Sequence, residues 1–234
     1  MGVFVGNLIH ANFHRELKNR FICEVVLDGR TLECYVPSSC RLSNFFKLDG
    51  KNVLIKPTIS QGARTQYSLV AIPYKQSFLL LNSSLANQIV AGSINGKRFS
   101  FLGMRNQIQK EYQVGDYKAD LFITDSRTVI EVKSIISMDK VAIFPTVYSE
   151  RSIAQLKYLK MLLQNRYKVC YIIVSLNPYI SKVILDKKTS LFHHFSECQL
   201  LGMMTKAYTC RLKEGFAVID REICIDTTSS PPLQ

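Results

Sequence analysis

Two acidic residues and a lysine in the second half of the chain have a spacing suited to metal-assisted hydrolysis. Asp120 precedes Glu131 by eleven positions, and Lys133 follows Glu131 after a single residue. Mg²⁺ is often held by one or two carboxylates, with its other positions left to water and phosphate. Such a cation, or Mn²⁺, neutralises charge that grows on phosphate oxygens during hydrolysis, and a nearby lysine adds positive charge or orients the attacking water. The pattern therefore indicates phosphodiester hydrolysis.

A β-hairpin would bring these three side chains together. Residues 119–124 and 128–133 both read as strands, and Asp125-Ser126 joins them tightly. Side chains alternate along a strand, so Glu131 and Lys133 share a face, and an adjacent antiparallel strand can place Asp120 beside them. The sequence thus predicts two carboxylates and a lysine at the end of a hairpin.

An acid-x-Lys triplet by itself is a weak signal. It also begins at Glu16, Asp49 and Asp186, where solvated charges are the ordinary interpretation. Glu131 differs because it ends an apolar strand, has an acid on the paired strand and is followed by a helix. The alternative is a surface glutamate and lysine that merely finish a strand.

The rest of the second half alternates helices with strands. Ser83 or Ser84 is expected to cap the first helix and Gly92 to end it, while Ser149 caps the second. This order predicts a mixed sheet flanked by helices. The predicted elements are a helix over 83–91, the hairpin, a helix over about 150–165, a strand over 169–175, a helix containing Leu191, Phe195, Cys198 and Gly202, and a strand near 207–212.

Residues 1–82 read as short strands separated by turns. Asp28-Gly29 lies between strands over 21–27 and 31–36 and is a strong hairpin signal. A second Asp-Gly pair, at 49–50, leads into a strand over 53–55, and another strand covers 67–72. This favours a small β-barrel of the OB type, which often holds single-stranded nucleic acid. A barrel that only supports its neighbour is equally compatible. We therefore divide the chain into domains over 1–82 and 83–234.

The charge favours a polyanionic partner. The chain has 30 Lys and Arg against 18 Asp and Glu, a formal charge of +12. Residues 1–82 contribute ten basic and five acidic side chains, and the remainder contributes twenty and thirteen, so both halves carry a surplus. Neither a spanning apolar run nor a basic amphipathic helix is evident, so we expect no membrane association and a cytoplasmic location.

The cysteines and histidines indicate no metal site. Seven scattered cysteines without a C-x-x-C pair are expected to be reduced and mostly buried. His193 and His194 with Cys198 could hold a metal but lack a nearby fourth ligand, so we interpret them as a helix surface. The tail over 227–234 is expected to fray.

The spacing of several motifs resembles one protein family. Asp120 followed by Glu131-x-Lys133 is the arrangement of the PD-(D/E)xK nucleases. In order, the chain also resembles the sugar fermentation stimulation (SfsA) proteins at 111–115, 118–121, 130–134, Phe144-Pro145 and Glu150-Arg151, with further matches at 19–21, 37–42, 201–202 and 207–208. The resemblance implies an N-terminal OB-like barrel, a C-terminal restriction-endonuclease-like domain, DNA binding and a link to the regulation of sugar metabolism.

The resemblance also implies roles for individual residues. Asp120, Glu131 and Lys133 would be catalytic, and Asp120 and Glu131 would bind Mg²⁺ or Mn²⁺, with Glu111 as an upstream helical acid that assists through a water. The alternative is a non-enzymatic DNA-binding regulator with an inactive nuclease fold.

DNA would be bound largely without sequence preference, because phosphate contacts carry no sequence information. The candidate nucleic-acid contacts are Arg20, Arg41, Lys118, Arg151, Gln155 and Lys157. The oligomeric state stays open, with a homodimer among the alternatives. The chain departs from the family pattern at Ser38-Ser39-Cys40, at Lys118-Ala119 and at Thr146.

Overall fold

Two sheets contain the strands of the computed structural model, which describes residues 2–38, 41–44, 46–58, 62–146 and 148–228. Within these residues, the smaller sheet has six strands in the order β4-β3-β2-β5-β6-β7, and a parallel pairing of β4 with β6 closes five of them into a barrel. The predicted OB-like barrel is therefore confirmed. After β1 (Val3–Phe4), its strands are β2 (Ile9–Glu16), β3 (Ile22–Leu27), β4 (Arg30–Tyr35), β5 (Asn52–Pro57), β6 (Tyr67–Tyr74) and β7 (Ser77–Leu80).

The predicted turn at Asp28-Gly29 joins β3 to β4. Both residues have positive φ, 49° and 75°, and Leu27 pairs with Arg30 across them. A two-residue turn of this kind matches the twist of the flanking strands and accepts Asp and Gly at little steric cost. The local sequence therefore sets the register of this hairpin.

The larger sheet is mixed, as predicted. Its order within the described residues is β11-β13-β15-β14-β12-β10-β9-β8, and β1 pairs with β15 at its side. Its elements are α1 (Leu85–Ser93), β8 (Ile108–Val114), β9 (Tyr117–Ile123), β10 (Thr128–Ile135), β11 (Val141–Phe144), α2 (Glu150–Gln164), β12 (Lys168–Ser175), β13 (Lys182–Leu185), α3 (Ser190–Leu200), β14 (Met204–Lys213) and β15 (Phe216–Asp226), with 3₁₀ turns at Leu42–Asn44 and Lys97–Leu102.

The helices cover opposite faces of this sheet. Ile89 of α1 packs in one core with residues of β10, β12 and β14, whereas Leu159 of α2 and Phe195 of α3 pack in a second core. Val70 and Leu80 of the barrel belong to the first core, and the backbone N–H of Leu80 donates to the carbonyl of Leu176 at 3.2 Å. The barrel and the larger sheet therefore share buried side chains.

The helix boundaries test the predicted caps. Ser149 caps α2 as predicted, and its hydroxyl accepts from the backbone N–H of Ser152 at 3.2 Å. The prediction for Gly92 was wrong, because α1 continues through it to Ser93. A Cβ atom at Gly92 would lie 3.4 Å from a methyl group of Val3, which is ordinary van der Waals distance, so β1 packs beside this part of the helix.

Several strands were not predicted, and Glu111 was placed on the wrong type of element. Glu111 lies on β8, an edge strand, rather than on a helix. Most side chains of β8 are exposed, so its sequence has no strong apolar alternation that would identify a strand. β11, β13 and β15 were likewise missed.

The described cysteines are free thiols, and most of them are buried, as expected. Five of the six described cysteines are buried and Cys224 is exposed, and all six are free, whereas Cys40 lies outside the described residues. The tail prediction falls mostly on residues 229–234, which also lie outside them. Within the described residues, no helix is both long enough and apolar enough to cross a membrane.

Candidate active site

Asp120 lies where β9 and β10 separate. The last paired residues of this ladder are Leu121 and Ile130. Beyond them, one oxygen of the Asp120 carboxylate accepts from the backbone N–H of Val132 at 2.8 Å, and the other accepts from Asn87 Nδ2 at 2.7 Å. The carboxylate thus takes the place of a ladder hydrogen bond, and α1 fixes its orientation.

Glu131 is almost completely buried, with 1 % of its surface exposed. Oε2 accepts from the hydroxyl of Tyr117, and Oε1 lies 2.5 Å from Lys133 Nζ. Glu131 and Lys133 therefore share a face of β10 and form an ion pair, in agreement with the alternation of side chains along a strand. Each Glu131 oxygen already accepts from a protein group.

Lys133 also links the strand to helix α2. Its ammonium donates to Gln155 Oε1 at 2.6 Å, in addition to its contact with Glu131. Gln155 was predicted to contact nucleic acid, but its side-chain oxygen is engaged at the acidic site. A role in holding Lys133 is therefore the simpler interpretation of Gln155.

Burial raises the pKa of both carboxylates. For Asp120, desolvation is the largest cause, and it is opposed by the N–H of Val132 and the charge of Lys133. For Glu131, desolvation again dominates, Lys133 opposes it, and the charge of Asp120 adds to it. The charge of Asp120 thus disfavours ionisation of Glu131, and a bound cation would offset this effect.

Two tyrosines complete the buried part of the site. Tyr117 donates to Glu131, and its ring lies 6.1 Å from that of the half-exposed Tyr158. Tyr171 is paired with Glu131 across β10 and β12, and its hydroxyl is buried without a partner among the described residues. Burial and the charges of Glu131 and Asp120 raise the pKa of Tyr171 well above its usual value, so the phenol lies near the acidic pair.

The donor set fits a divalent cation that retains water. Two carboxylates that repel each other and a buried hydroxyl without a partner among the described residues form a polar group suited to a hard divalent cation. Within the described ranges, no three His, Cys, Asp or Glu side chains form a cage for a metal. Cys198 donates to the Leu156 carbonyl from the core while His193 is exposed on α3, so they do not meet.

Glu111 lies near the site without entering it. On β8, Glu111 lies opposite Asp120 of β9, and the residues on either side of the two are paired across the strands. The backbone of Glu111 has a φ of 51°. The carboxylate is exposed and lies 2.5 Å from Lys118 Nζ, which lowers its pKa. Its charge raises the pKa of Asp120, so the two are neighbours, but the hydrogen bonds of Glu111 go to Lys118.

The candidate nucleic-acid residues fall into two groups. Arg151 and Lys157 are exposed on α2, the helix that carries Gln155 to the acidic site. On the barrel, the Arg20 guanidinium lies 4.7 Å above the ring of Phe21, and Arg41 donates to the carbonyl of Lys18 at 2.5 Å. Their contact with nucleic acid stays a prediction, as does that of Lys118.

Glu16, which begins another acid-x-Lys triplet, has a structural role. Its carboxylate accepts from the backbone N–H groups of Leu42 and Ser43, at 2.9 and 3.1 Å, and from the Ser43 hydroxyl. Glu16 therefore fastens the turn at Leu42–Asn44 to the barrel and is not the solvated charge expected.

Sequence reasoning missed Asn87, Tyr117, Tyr158 and Tyr171. Tyr117 could have been found, because it lies three residues before Asp120 on the same strand. Tyr171 lies in the predicted apolar strand over 169–175, where a buried hydroxyl is a weak signal of function. Asn87 and Tyr158 lie on helices remote in sequence, and their types alone do not distinguish them.

Sequence comparison matches both sheets to one family. Residues 84–215 match the sugar fermentation stimulation protein RE domain, and residues 16–81 match the SfsA N-terminal OB domain. The chain belongs to the sugar fermentation stimulation protein family. A homologue from Carboxydothermus hydrogenoformans is 29% identical over 222 residues, covering 92% of this chain and 95% of the relative. Another, from Methanobrevibacter smithii, is 30% identical over 154 residues, covering 60% and 64%.

A solved SfsA structure has the same fold. The SfsA of Pyrococcus furiosus in complex with Ca²⁺ superposes with a TM-score of 0.79 and covers 97% of this chain and 100% of its own. Sequence identity is 20%, so the likeness concerns the fold. The expected order of a barrel followed by a mixed sheet with helices is thereby confirmed.

Proposed function

We propose that this protein hydrolyses phosphodiester bonds of DNA in a metal-dependent reaction at the acidic site. The observation that carries the proposal is the convergence of Asp120, Glu131 and Lys133 where β9 and β10 separate. Two buried carboxylates whose pKa values are raised by desolvation, with an ammonium 2.5 Å from one of them, are typical of an active site rather than of solvated surface charge.

Asp120 and Glu131 would hold Mg²⁺ or Mn²⁺, and Glu111 would assist through a water. The cation supplies positive charge to the phosphate oxygens and lowers the pKa of a bound water. Lys133 adds a fixed positive charge beside the attacked phosphate, and Gln155 keeps its ammonium in place. The Pyrococcus relative is a complex with Ca²⁺, which supports binding of a divalent cation by a protein of this fold.

DNA would reach the site past the exposed basic side chains of α2. The formal charge of +12 favours a polyanion, and Arg151 and Lys157 project from the helix that also supplies Gln155. Contacts with phosphates would position the strand without reading its bases, so we expect little sequence preference.

One observation favours a second function, DNA binding without cleavage. Glu131 is 1 % exposed, and each of its oxygens already accepts from Tyr117 or Lys133. A carboxylate that is fully engaged by protein groups is also what an inherited but structural site would contain.

A cleavage assay separates the two functions. Purified protein would be incubated with single-stranded and duplex DNA in Mg²⁺, Mn²⁺ or EDTA, beside Asp120→Asn. We expect cleavage that needs the metal and is lost in the variant. Salt-sensitive DNA binding without metal-dependent cleavage would support the non-enzymatic function, and cleavage that persists in Asp120→Asn would contradict the assigned site.

A further inference from the structure

A cleft of about 730 Å³ lies on the barrel, apart from the acidic residues just described. Its walls come from the start of β3, the end of β4, the end of β5 and the chain at 63–65. This volume is within the roughly 300–1,000 Å³ common for small-molecule and cofactor pockets. The cleft is therefore large enough for a ligand of nucleotide size.

The lining combines an apolar floor with positive charge. Ile22 and Pro57 are part of the floor, and Lys56 and Arg64 supply cations. Tyr35, which is 43 % exposed, presents an aromatic ring. Among the described lining residues there is no acidic side chain. A flat apolar group attached to phosphate would match this combination.

The position of the cleft also points to nucleic acid. β3 and β4 are the second and third strands of the five-stranded barrel, and the loop that bears Arg64 joins its fourth and fifth strands, β5 and β6. In barrels of this type, this face and this loop bind oligonucleotides and oligosaccharides. Because Lys56 and Arg64 are positively charged, the cleft favours an oligonucleotide, which is anionic, over an oligosaccharide.

We propose that this cleft binds single-stranded DNA, with a base stacked on Tyr35 and neighbouring phosphates on Lys56 and Arg64. The proposal rests on the proposed function for the class of ligand, but it concerns a different surface and a specific strand state. In a duplex, each base is covered on both faces by its neighbours, so stacking on a side chain requires an unpaired strand.

The test measures binding without chemistry. A fluorescent oligothymidylate and a duplex of equal length would be titrated in EDTA against Asp120→Asn protein, so that cleavage does not interfere. Tyr35→Ala, Tyr35→Phe and Lys56→Ala/Arg64→Ala would be made in this background. The matched control is Phe216→Ala, because Phe216 is also 43 % exposed but lies on the larger sheet.

Tyr35→Ala is expected to weaken oligothymidylate binding roughly 5- to 100-fold, as loss of one stacked base does, and to leave duplex binding unchanged. Tyr35→Phe retains the ring and the affinity. Because each phosphate contact with a single strand contributes about 0.7 to the salt slope, Lys56→Ala/Arg64→Ala lowers that slope by roughly 1.4. Phe216→Ala changes neither quantity. The fluorescence of a 2-aminopurine base in the strand should be quenched by the protein that retains Tyr35 and by Tyr35→Phe, but not by Tyr35→Ala.

Several results would overturn the proposal. These are absence of oligothymidylate binding, equal losses in Tyr35→Ala and Phe216→Ala, and equal losses for single strands and duplex. If thymidine monophosphate displaced the oligothymidylate completely and bound with the same affinity, the cleft would be assigned to a small nucleotide instead. Metal-dependent cleavage by the wild type is scored separately. The cleft assignment therefore stands or falls without reference to the nuclease activity.

Discussion

The barrel cleft and the acidic site differ in the sign of their charged side chains and in their exposure to solvent. Tyr35 and Arg64 of the cleft are exposed to solvent, whereas Asp120 and Glu131 are held by Asn87, Val132, Tyr117 and Lys133 before any ligand arrives. An open cationic surface gains affinity by direct contact with phosphates. A buried, hydrogen-bonded acidic pair contributes little affinity for a polyanion, but its carboxylates and the neighbouring ammonium are held in fixed positions. Binding and chemistry should therefore respond to different substitutions.

Substitution of Lys133 should separate chemistry from binding most strongly. Lys133→Ala removes the ammonium that contacts Glu131 and Gln155, so the rate of DNA cleavage should fall on the order of 10²- to 10³-fold. DNA affinity, measured by anisotropy in EDTA, should stay near that of the wild type. Lys206→Ala is the control, because Lys206 on β14 makes an equally short ion pair with Glu222. Equal rate losses in the two variants would contradict the role of Lys133.

Metal binding should disappear with the acidic pair. In wild type, saturating Mn²⁺ should raise the melting temperature, since a ligand at about 100 times its Kd stabilises by about 2.7 kcal/mol. Asp120→Asn and Glu131→Gln should lose this increase because each removes a candidate ligand and relieves the repulsion between the two carboxylates. Glu222→Gln should keep it. A shift that survives in both acidic-site variants would place the metal elsewhere.

Tyr117 and Tyr171 should respond in opposite directions to the same chemical change. Tyr117→Phe removes a donor to a buried carboxylate and should lower the free energy of unfolding by about 1.5–3 kcal/mol. Tyr171→Phe removes a buried hydroxyl that has no partner among the described residues, so stability without metal should be unchanged or about 1 kcal/mol higher. Urea unfolding in EDTA measures both. Destabilisation of the same size in both variants would show that Tyr171 has a partner in solution.

The smallest expected effect is a pH dependence of stability. Because burial raises the pKa of Glu131 in the folded state, the charged carboxylate destabilises the fold at pH values above that folded pKa. This penalty is lost as the pH falls toward the unfolded value of about 4.3. Without metal, wild type should therefore gain stability relative to Glu131→Gln as the pH is lowered from 7 to 5. The opposite trend would mean that the Lys133 ion pair outweighs burial.

Sequence reasoning was most successful where neighbouring residues determine the structure. The Asp28-Gly29 turn, the Ser149 cap and the hairpin of β9 and β10 agree with the predictions because turn geometry, capping and strand alternation are short-range effects. The same reasoning failed at Gly92, which α1 passes through before it ends at Ser93. It also failed at Glu16, whose partners lie 26 and 27 positions away.

By itself, the sequence determined that Asp120, Glu131 and Lys133 lie together, since their spacing on two paired strands is a local property. Only the tertiary structure decided how those groups are held. Asn87 approaches Asp120 from α1 and Gln155 approaches Lys133 from α2, each from one face of the sheet. Likewise, Tyr35 and Arg64 line one cleft only because the barrel closes between β4 and β6. Burial and long-range packing set these contacts, and a linear pattern does not encode which distant residues will meet.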